Sequence, residues 1–347
     1  MQVSRLSQQT GRKLLLAGES ACPTERRPEG RRRRRSAGPT PGAKITPVIN
    51  LLRREFLHTL GGAAALGLSR TASGQASPAA AKLTDKLTLI TGAGNNIVAL
   101  TGDGGSLLVD CGDAAHVQDV LKLAGSVKTV INTHWHLEST GANDAMGKAG
   151  AKLVSHVNTK LWMTQEIIHD WEEKVFPPRA KEALPTETFY TTGKMMFGGE
   201  PVEYGLMPMA HTDGDIYVHF PQSNVLVTGD VIQPGKLPYL DFPTGGWIGG
   251  MQEAHRTLIR LANDTTKIVP ATGPVISKAE VQASLDLLTK IREQLVKLMK
   301  QGNGPQDMID AKAMKDFEGQ LAGDPNRFLF TAYRGLWAHV RELGGIV

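Results

Sequence analysis

Residues 133–143 read "THWHLESTGAN", with His134 and His136 one residue apart, Glu138 two further on and Ser139 beside it. Imidazoles at this spacing can converge on one divalent ion, and an ion held by neutral nitrogens with a position left open lowers the pKa of water there toward 7. A His-x-His pair by itself more often packs in a core or meets solvent, so its meaning depends on residues further along the chain. His211 stands in "MAHTDGD", Asp230 in "LVTGDV", and "VPATGP" runs over residues 269–274. A third imidazole and a further carboxylate, each next to turn-forming residues, extend the pair into a candidate metal site.

Such a site needs rigid elements to deliver its side chains. The buried-strand pattern "VKTVINT" leads straight into His134, at the carboxyl end of a strand, where loops collect ligands. Upstream, the apolar runs Leu87–Ile90, Ile97–Leu100 and Ser106–Val109 are broken by Gly, Asn and Asp, the pattern of hairpins and meanders. "AAHVQDVLKLAG" predicts a helix closed by Gly125, and "GKAGAKLVSHVNTKLWMTQEI" a strand followed by a helix. Residues 189–232 read as successive strands, "EAHRTLIRLAND" as a helix, and "TTKIVPATGP" as a strand entering a tight turn. An apolar-periodic helix from Lys278 to about Gln301 opens a helical tail. Strands and helices mixed in this way predict an α/β protein with sheets covered by helices.

From about Leu83 to the tail, this order of stops resembles the metallo-β-lactamase fold superfamily. The flanking segments "NNIVAL", "LLVDCGD", "TGAN" and "NVLVTGDV" match its patterns as well as the ligand positions do. The helical tail is similar to that of its cyclase or lactonase-like branch. The resemblance implies a four-layer αββα sandwich with a helical C-terminal tail. It also implies that His134, His136 and His211 are the imidazole ligands of a first zinc site, with Asp230 the carboxylate that bridges toward a second. The second site departs from the family pattern. Glu138 and Ser139 stand where the family has Asp and His, and Thr272 replaces the His of a Pro-Gly-His-Gly turn. Hydroxyls are poor zinc ligands beside imidazole, so one ion is expected, Zn²⁺ first and Fe second.

The function implied is hydrolysis of an ester, lactone or amide (β-lactam-like) bond in a small-molecule substrate, with Glu138 or Asp230 orienting water and shuttling its proton. Glu138 is read first as that orienting base, with ligand and exposed acid as alternatives. Asp230 is read as a partner of a ligand histidine or of the water rather than of a second metal. Two rival readings stand beside this one. One is a mononuclear iron oxygenase with Fe(II) on His134, His211 and Asp230; the other is a degenerate member that binds a small molecule or partner without turnover. Asp110, Asp213 and Asp215 are read as structural, and His116, His156, His169, His219, His255 and His339 as surface or core, with replacement of a lost ligand by any one of these histidines as the alternative. Each of Trp135, Trp162, Trp171 and Trp247 is assigned to core packing, with a cleft rim as the alternative.

The net charge of +5 is misleading about partners. Residues 1–81 carry 14 Lys+Arg against 4 Asp+Glu, leaving 25 basic and 30 acidic residues for the rest, net −5. A nucleic-acid partner is therefore not expected, since phosphate binding needs cationic surface on the folded part. Residues 1–47, rich in Arg, Pro and Gly, read as a disordered basic leader, untranslated if synthesis starts near Val48 or Leu51. Residues 48–81 resemble a twin-arginine signal: Arg53-Arg54, then Phe56-Leu57, a Gly/Ala/Leu run too short to span a membrane, and small residues before Lys82. Cleavage at Gly74-Gln75-Ala76 or Ala79-Ala80-Ala81 would leave one domain, residues 82–347, tail included. These features predict export by the twin-arginine machinery to the periplasm or outside, with no stable membrane insertion of the mature chain. Cys22 falls in the leader, which leaves Cys111 alone at the end of a strand with no internal disulfide.

Overall fold

Residues 77–102 and 104–343 are described by a computed structural model; the basic leader, Cys22 and the arginine pair lie outside them. Within the described residues the apolar runs form the expected strands. A seven-stranded sheet is ordered β1 (Ala79–Lys82), β2 (Leu87–Thr91), β3 (Ile97–Gly102), β4 (Gly105–Val109), β5 (Val127–Ile131), β6 (Lys152–His156) and β9 (Glu187–Phe189). Pairing is antiparallel from β1 to β4 and parallel from β4 to β9. Between β6 and β9 the hairpin β7 (Ile167–His169) and β8 (Lys174–Phe176) stands apart as a two-stranded sheet. The second large sheet takes β10 (Thr192–Phe197), β11 (Glu200–Leu206), β12 (Ile216–Phe220), β13 (Val225–Val227) and β14 (Lys267–Val269) in order, with only the last pair parallel.

The layering follows from the two-residue period of a strand. In β3, Val98 and Leu100 enter the apolar cluster between the sheets, where they join Val202, Ile216, Val218, Phe220 and Val227 of the second sheet. Ile97 and Ala99 point the other way, into a cluster with Val120 and Met146 from helices α1 (Val117–Ala124) and α3 (Asn143–Lys148). In the second sheet Leu226 and Ile268 face outward, against α5 (Ile248–Leu261), α6 (Lys278–Lys300) and α8 (Pro325–Ala338). Strands buried on both faces read as continuous apolar runs. The result is the expected αββα sandwich with a helical tail, which also includes α7 (Pro305–Asp310). Helix α6 starts at a capping box: Ser277 Oγ accepts from the Glu280 amide at 3.3 Å, and the Glu280 carboxylate accepts from the Ser277 amide at 2.8 Å.

One local reading needs correction. The helix expected through Ile167 is α4 (Val157–Met163) and stops there, because Ile167–His169 turns into β7 and pairs with Lys174–Phe176. Ala79–Ala81, one of the two small-residue cleavage candidates, belongs to β1 and pairs with Leu89–Thr91. Among the described residues no helix is long and apolar enough to cross a membrane.

Candidate metal centre

The candidate ligands come from loops at one edge of the sandwich: His134 and His136 between β5 and α2 (Leu137–Thr140), His211 between β11 and β12, and Asp230 just after β13. Asp110, in the left-handed region at φ 59°, caps the loop that follows β5. Its carboxylate accepts from the Thr133 amide at 2.8 Å and from Thr133 Oγ1 at 2.7 Å, while burial raises its pKa to about 7. Gly229, at φ 54°, brings Asp230 against this loop; a Cβ there would meet Thr133 Oγ1 at 2.7 Å. Asp215 accepts from the amides of His211 and Thr212, so it shapes the turn that carries His211, as expected.

Each histidine is held by its outward ring nitrogen, and this determines what the inward nitrogen can be. His211 Nδ1 lies 2.7 Å from the Tyr239 carbonyl, which can only accept, so Nε2 keeps a lone pair. His136 Nε2 lies 2.9 Å from the Asp241 carboxylate, which leaves Nδ1 as its lone pair. His134 Nδ1 is 3.0 Å from Thr133 Oγ1, whose own proton goes to Asp110, so His134 Nε2 is bare. That nitrogen is buried with no hydrogen-bond partner. His136 Nδ1 and His211 Nε2 face each other at 3.1 Å, and two lone pairs at that separation require a proton or a cation between them.

Ligand atoms of His134, His136, His211 and Asp230 all lie within 4.8 Å of one another, the one such group among the described residues. Tetrahedral coordination at about 2.0–2.1 Å per nitrogen fits inside that span. Burial, followed by the neighbouring imidazoles, pushes the pKa of His134 well down, and burial with His136 lowers that of His211. Both are therefore neutral, as ligands must be. For His136 the cost of burial is outweighed by its bonds to Asp241 and Glu138, which lift its pKa to about 10. A cation bound at His136 Nδ1 would have to displace a proton from it.

Ser139, Asp230 and Thr272 are all engaged by the protein's own groups. Asn95 Nδ2 donates to Ser139 Oγ at 2.9 Å and to Asp230 Oδ1 at 2.7 Å, while Gln233 Nε2 donates to Asp230 Oδ2 at 3.0 Å. Lys236 Nζ donates to Thr272 Oγ1 at 3.1 Å. Glu138 is half exposed, with Oε1 3.7 Å from His136 Nδ1. Some burial opposes its charge, but His136 outweighs that and holds its pKa down to about 2.

Three residues of the site carry no motif. Asp241 Oδ2 takes His136 Nε2 and also Trp135 Nε1 at 3.1 Å, and its Oδ1 lies 3.1 Å from His169 Nε2. Burial works against its charge, yet the imidazoles of His136 and His169 keep the carboxyl far below its usual range. Tyr239 Oη completes the chain at 2.9 Å from His169 Nδ1. His169, which its sequence context assigns to surface or core, is buried, but against the site. Trp247, by contrast, is core, stacked on His339 at 3.8 Å between ring centroids. Cys111 is buried two residues past the end of β4, where burial raises the pKa of its thiol. A cavity of about 340 Å³ opens before the ligands, lined by His136, Glu138, Asp230, Gln233, Tyr239 and Arg327 among others. Arg327 reaches it from α8 and lies over the Tyr239 ring at 4.5 Å.

Comparison with solved structures places this architecture. A metallo-beta-lactamase from Pontibacter korlensis superposes with a TM-score of 0.50 at 20% identity, covering 61% of this chain and 99% of that one. The DIM-1 metallo-beta-lactamase gives 0.50 at 13% identity, covering 62% and 98%. The inverting sec-alkylsulfatase Pisa1 from Pseudomonas sp. gives 0.54 at 15% identity over 76% of this chain, which spans half the length of that enzyme. These likenesses concern the fold. The sequence itself is matched over residues 90–273, more than half of the chain and including every candidate ligand, by the family described as the metallo-beta-lactamase superfamily, and to that superfamily the chain belongs.

Proposed function

We propose that the chain is an exported hydrolase that works with one Zn²⁺ on His134, His136 and His211, and cleaves an ester, lactone or amide bond in a small molecule. The observation that carries this reading is the set of three inward ring nitrogens, each with an acceptor behind its outward nitrogen, with His134 Nε2 buried and unpartnered and His136 Nδ1 only 3.1 Å from His211 Nε2. Zn²⁺ bound there supplies a Lewis acid and a nucleophilic water at neutral pH. Around it, Asp241 holds His136 in the Nδ1-ligating tautomer, and Asp110 does the same for His134 through Thr133. Asp230 presents a carboxylate to the cavity, steadied on both oxygens by Asn95 and Gln233, where it can orient a water and take up its proton. Glu138, ionised and half exposed beside His136, is a second acceptor facing the same cavity.

A single ion is favoured because a neutral amide and an ammonium stand where further ligands would be needed: Asn95 on Ser139, and Lys236 on Thr272. Export rests on the Arg53-Arg54 segment, and removal of the signal at Ala76 keeps β1 whole. The cyclase or lactonase-like branch rests on the helical tail. Elemental analysis of protein purified without added metal is expected to find about one equivalent of zinc per chain. Two tightly held equivalents would overturn the one-ion reading, and iron in place of zinc would move the proposal to a mononuclear oxygenase.

A further inference from the structure

Beside the metal-facing cavity lies a second cavity of about 230 Å³, walled by Trp135, Trp162, Met163, Ile167, Phe176 and Pro177. The two cavities share Leu137 and Phe176, so the partition between them is made of apolar side chains. Leu137 directly follows the ligand His136 and is 38% exposed, an apolar group left at the seam. The indole of Trp135 forms one wall and packs edge-on against His136 at 4.4 Å between ring centroids, and against Phe176 at 5.1 Å. The polar atoms of both tryptophans are already occupied: Trp135 Nε1 by Asp241, and Trp162 Nε1 by Asp213 Oδ1 at 2.6 Å. Those bonds pin the rings and leave the slot mainly hydrocarbon; Gln165 and Arg179 also line it, and the Arg179 guanidinium is engaged by Thr140, donating to its Oγ1 at 3.2 Å and its carbonyl at 3.3 Å.

The metal-facing cavity has the opposite character, with Glu138, Glu172, Lys174 and Arg327 on its walls. A small polar substrate would use that cavity alone. The slot suits a molecule with two unlike parts. We propose that the substrate is an amphiphilic acyl compound, whose scissile carbonyl group lies before the three histidines while its hydrocarbon chain or ring passes Leu137 and Phe176 into the slot. This rests on the hydrolytic reading of the metal centre and adds the substrate class. A cavity of about 150 Å³ takes benzene, and on that scale the slot takes about nine carbons.

The test uses the mature chain loaded with zinc and the ethyl esters of acetate, butyrate, hexanoate, octanoate and dodecanoate, followed by proton release. Burial of each methylene raises kcat/KM about three- to fourfold up to roughly eight or nine carbons, with no further gain for dodecanoate. Ala180, exposed and on the rim of the slot, is replaced in a second experiment. Ala180→Trp is expected to lower the octanoate-to-acetate ratio of kcat/KM at least tenfold, and a ratio within one variant is insensitive to general loss of activity. Binding of octanoate against acetate, measured by calorimetry on the same proteins, gives a readout that needs no turnover. Octanoate binding that is weakened by Ala180→Trp, without hydrolysis of any ester, would support the slot and sink the ester-hydrolase reading. Hydrolysis with no dependence on chain length, unaffected by Ala180→Trp, would sink the slot and leave the hydrolase reading standing. Absence of both binding and hydrolysis overturns both.

Discussion

The residue whose removal should tell most is Asp241, which touches no candidate ion yet fixes the tautomer of His136. Asp241→Asn keeps the shape but gives up the charge that opposes the two imidazoles. Partners of this kind typically change metal affinity by 10–100-fold, and a loss in that range is expected in competition with a chelator. Glu203→Gln, on an exposed side chain of the second sheet, is the matched control; equal affinities for both variants would show that His136 does not depend on Asp241. A complementary experiment tests the proposed one-ion site by placing imidazoles at Ser139 and Thr272. Ser139→His with Thr272→His is expected to raise affinity for a second ion by at least tenfold, far more than either change alone, because ligands shared by one ion are non-additive. Lys236 donates to Thr272 and would repel that ion, so Lys236→Ala should strengthen the effect further. Titration of the triple variant that still shows one ion of unchanged affinity would remove the account of a lost second site.

Helices α5 and α6 meet through a buried histidine as well as through hydrocarbon. His255 Nδ1 lies 2.8 Å from the Met251 carbonyl and Nε2 3.0 Å from Ser284 Oγ, so the neutral ring donates once and accepts once. Burial lowers its pKa to about 4. The unfolded chain, with a histidine pKa near 6.5, therefore binds a proton that the folded chain refuses. Stability from this group is full above about pH 6.5 and is lost as pH falls toward 4. Between pH 7 and 5 the loss amounts to about 2 kcal/mol. In His255→Gln that part of the pH dependence should vanish, so urea midpoints at pH 7 and 5 should lie closer together than in the parent. Parallel midpoint shifts in both proteins would assign the acid sensitivity elsewhere.

At the scale of the molecule, the first sheet begins with residues that could have belonged to a discarded signal. Ala79–Lys82 pairs along its whole length with β2, so cleavage after Ala81 would strip an edge strand from the sheet, whereas cleavage after Ala76 leaves it intact. If the chain is exported and cleaved as proposed, N-terminal sequencing of the mature protein is expected to start at Ser77. A start at Lys82 would mean that β1 is dispensable. The tail is equally part of the body: Phe328, Leu329 and Leu336 of α8 pack in one cluster with Met251 and Leu258 of α5 and Leu288 and Ile291 of α6. The same α8 delivers Arg327 to the cavity, which joins the end of the chain to the site.

The linear order of residues determined whatever repeats locally or is spelled by a motif. Two-residue and helical periods placed the strands and the long helices, since each period states which faces are buried. That His134, His136, His211 and Asp230 would lie together was legible from the resemblance of their order and flanking segments to the superfamily. The short hairpin β7–β8 was not legible, because six residues in two strands carry too little pattern against the helical reading of α4. Tertiary structure alone decided the rest. Asp241 and His169 are 105 and 33 residues from His136 in sequence, and only folding gives the two histidines a shared carboxylate. The apolar slot likewise needs α4, β7 and the strand end at Phe176 folded onto Trp135. Hydrogen bonds and cavity walls between distant segments leave no period in a sequence, because their geometry is set by packing rather than by neighbouring residues.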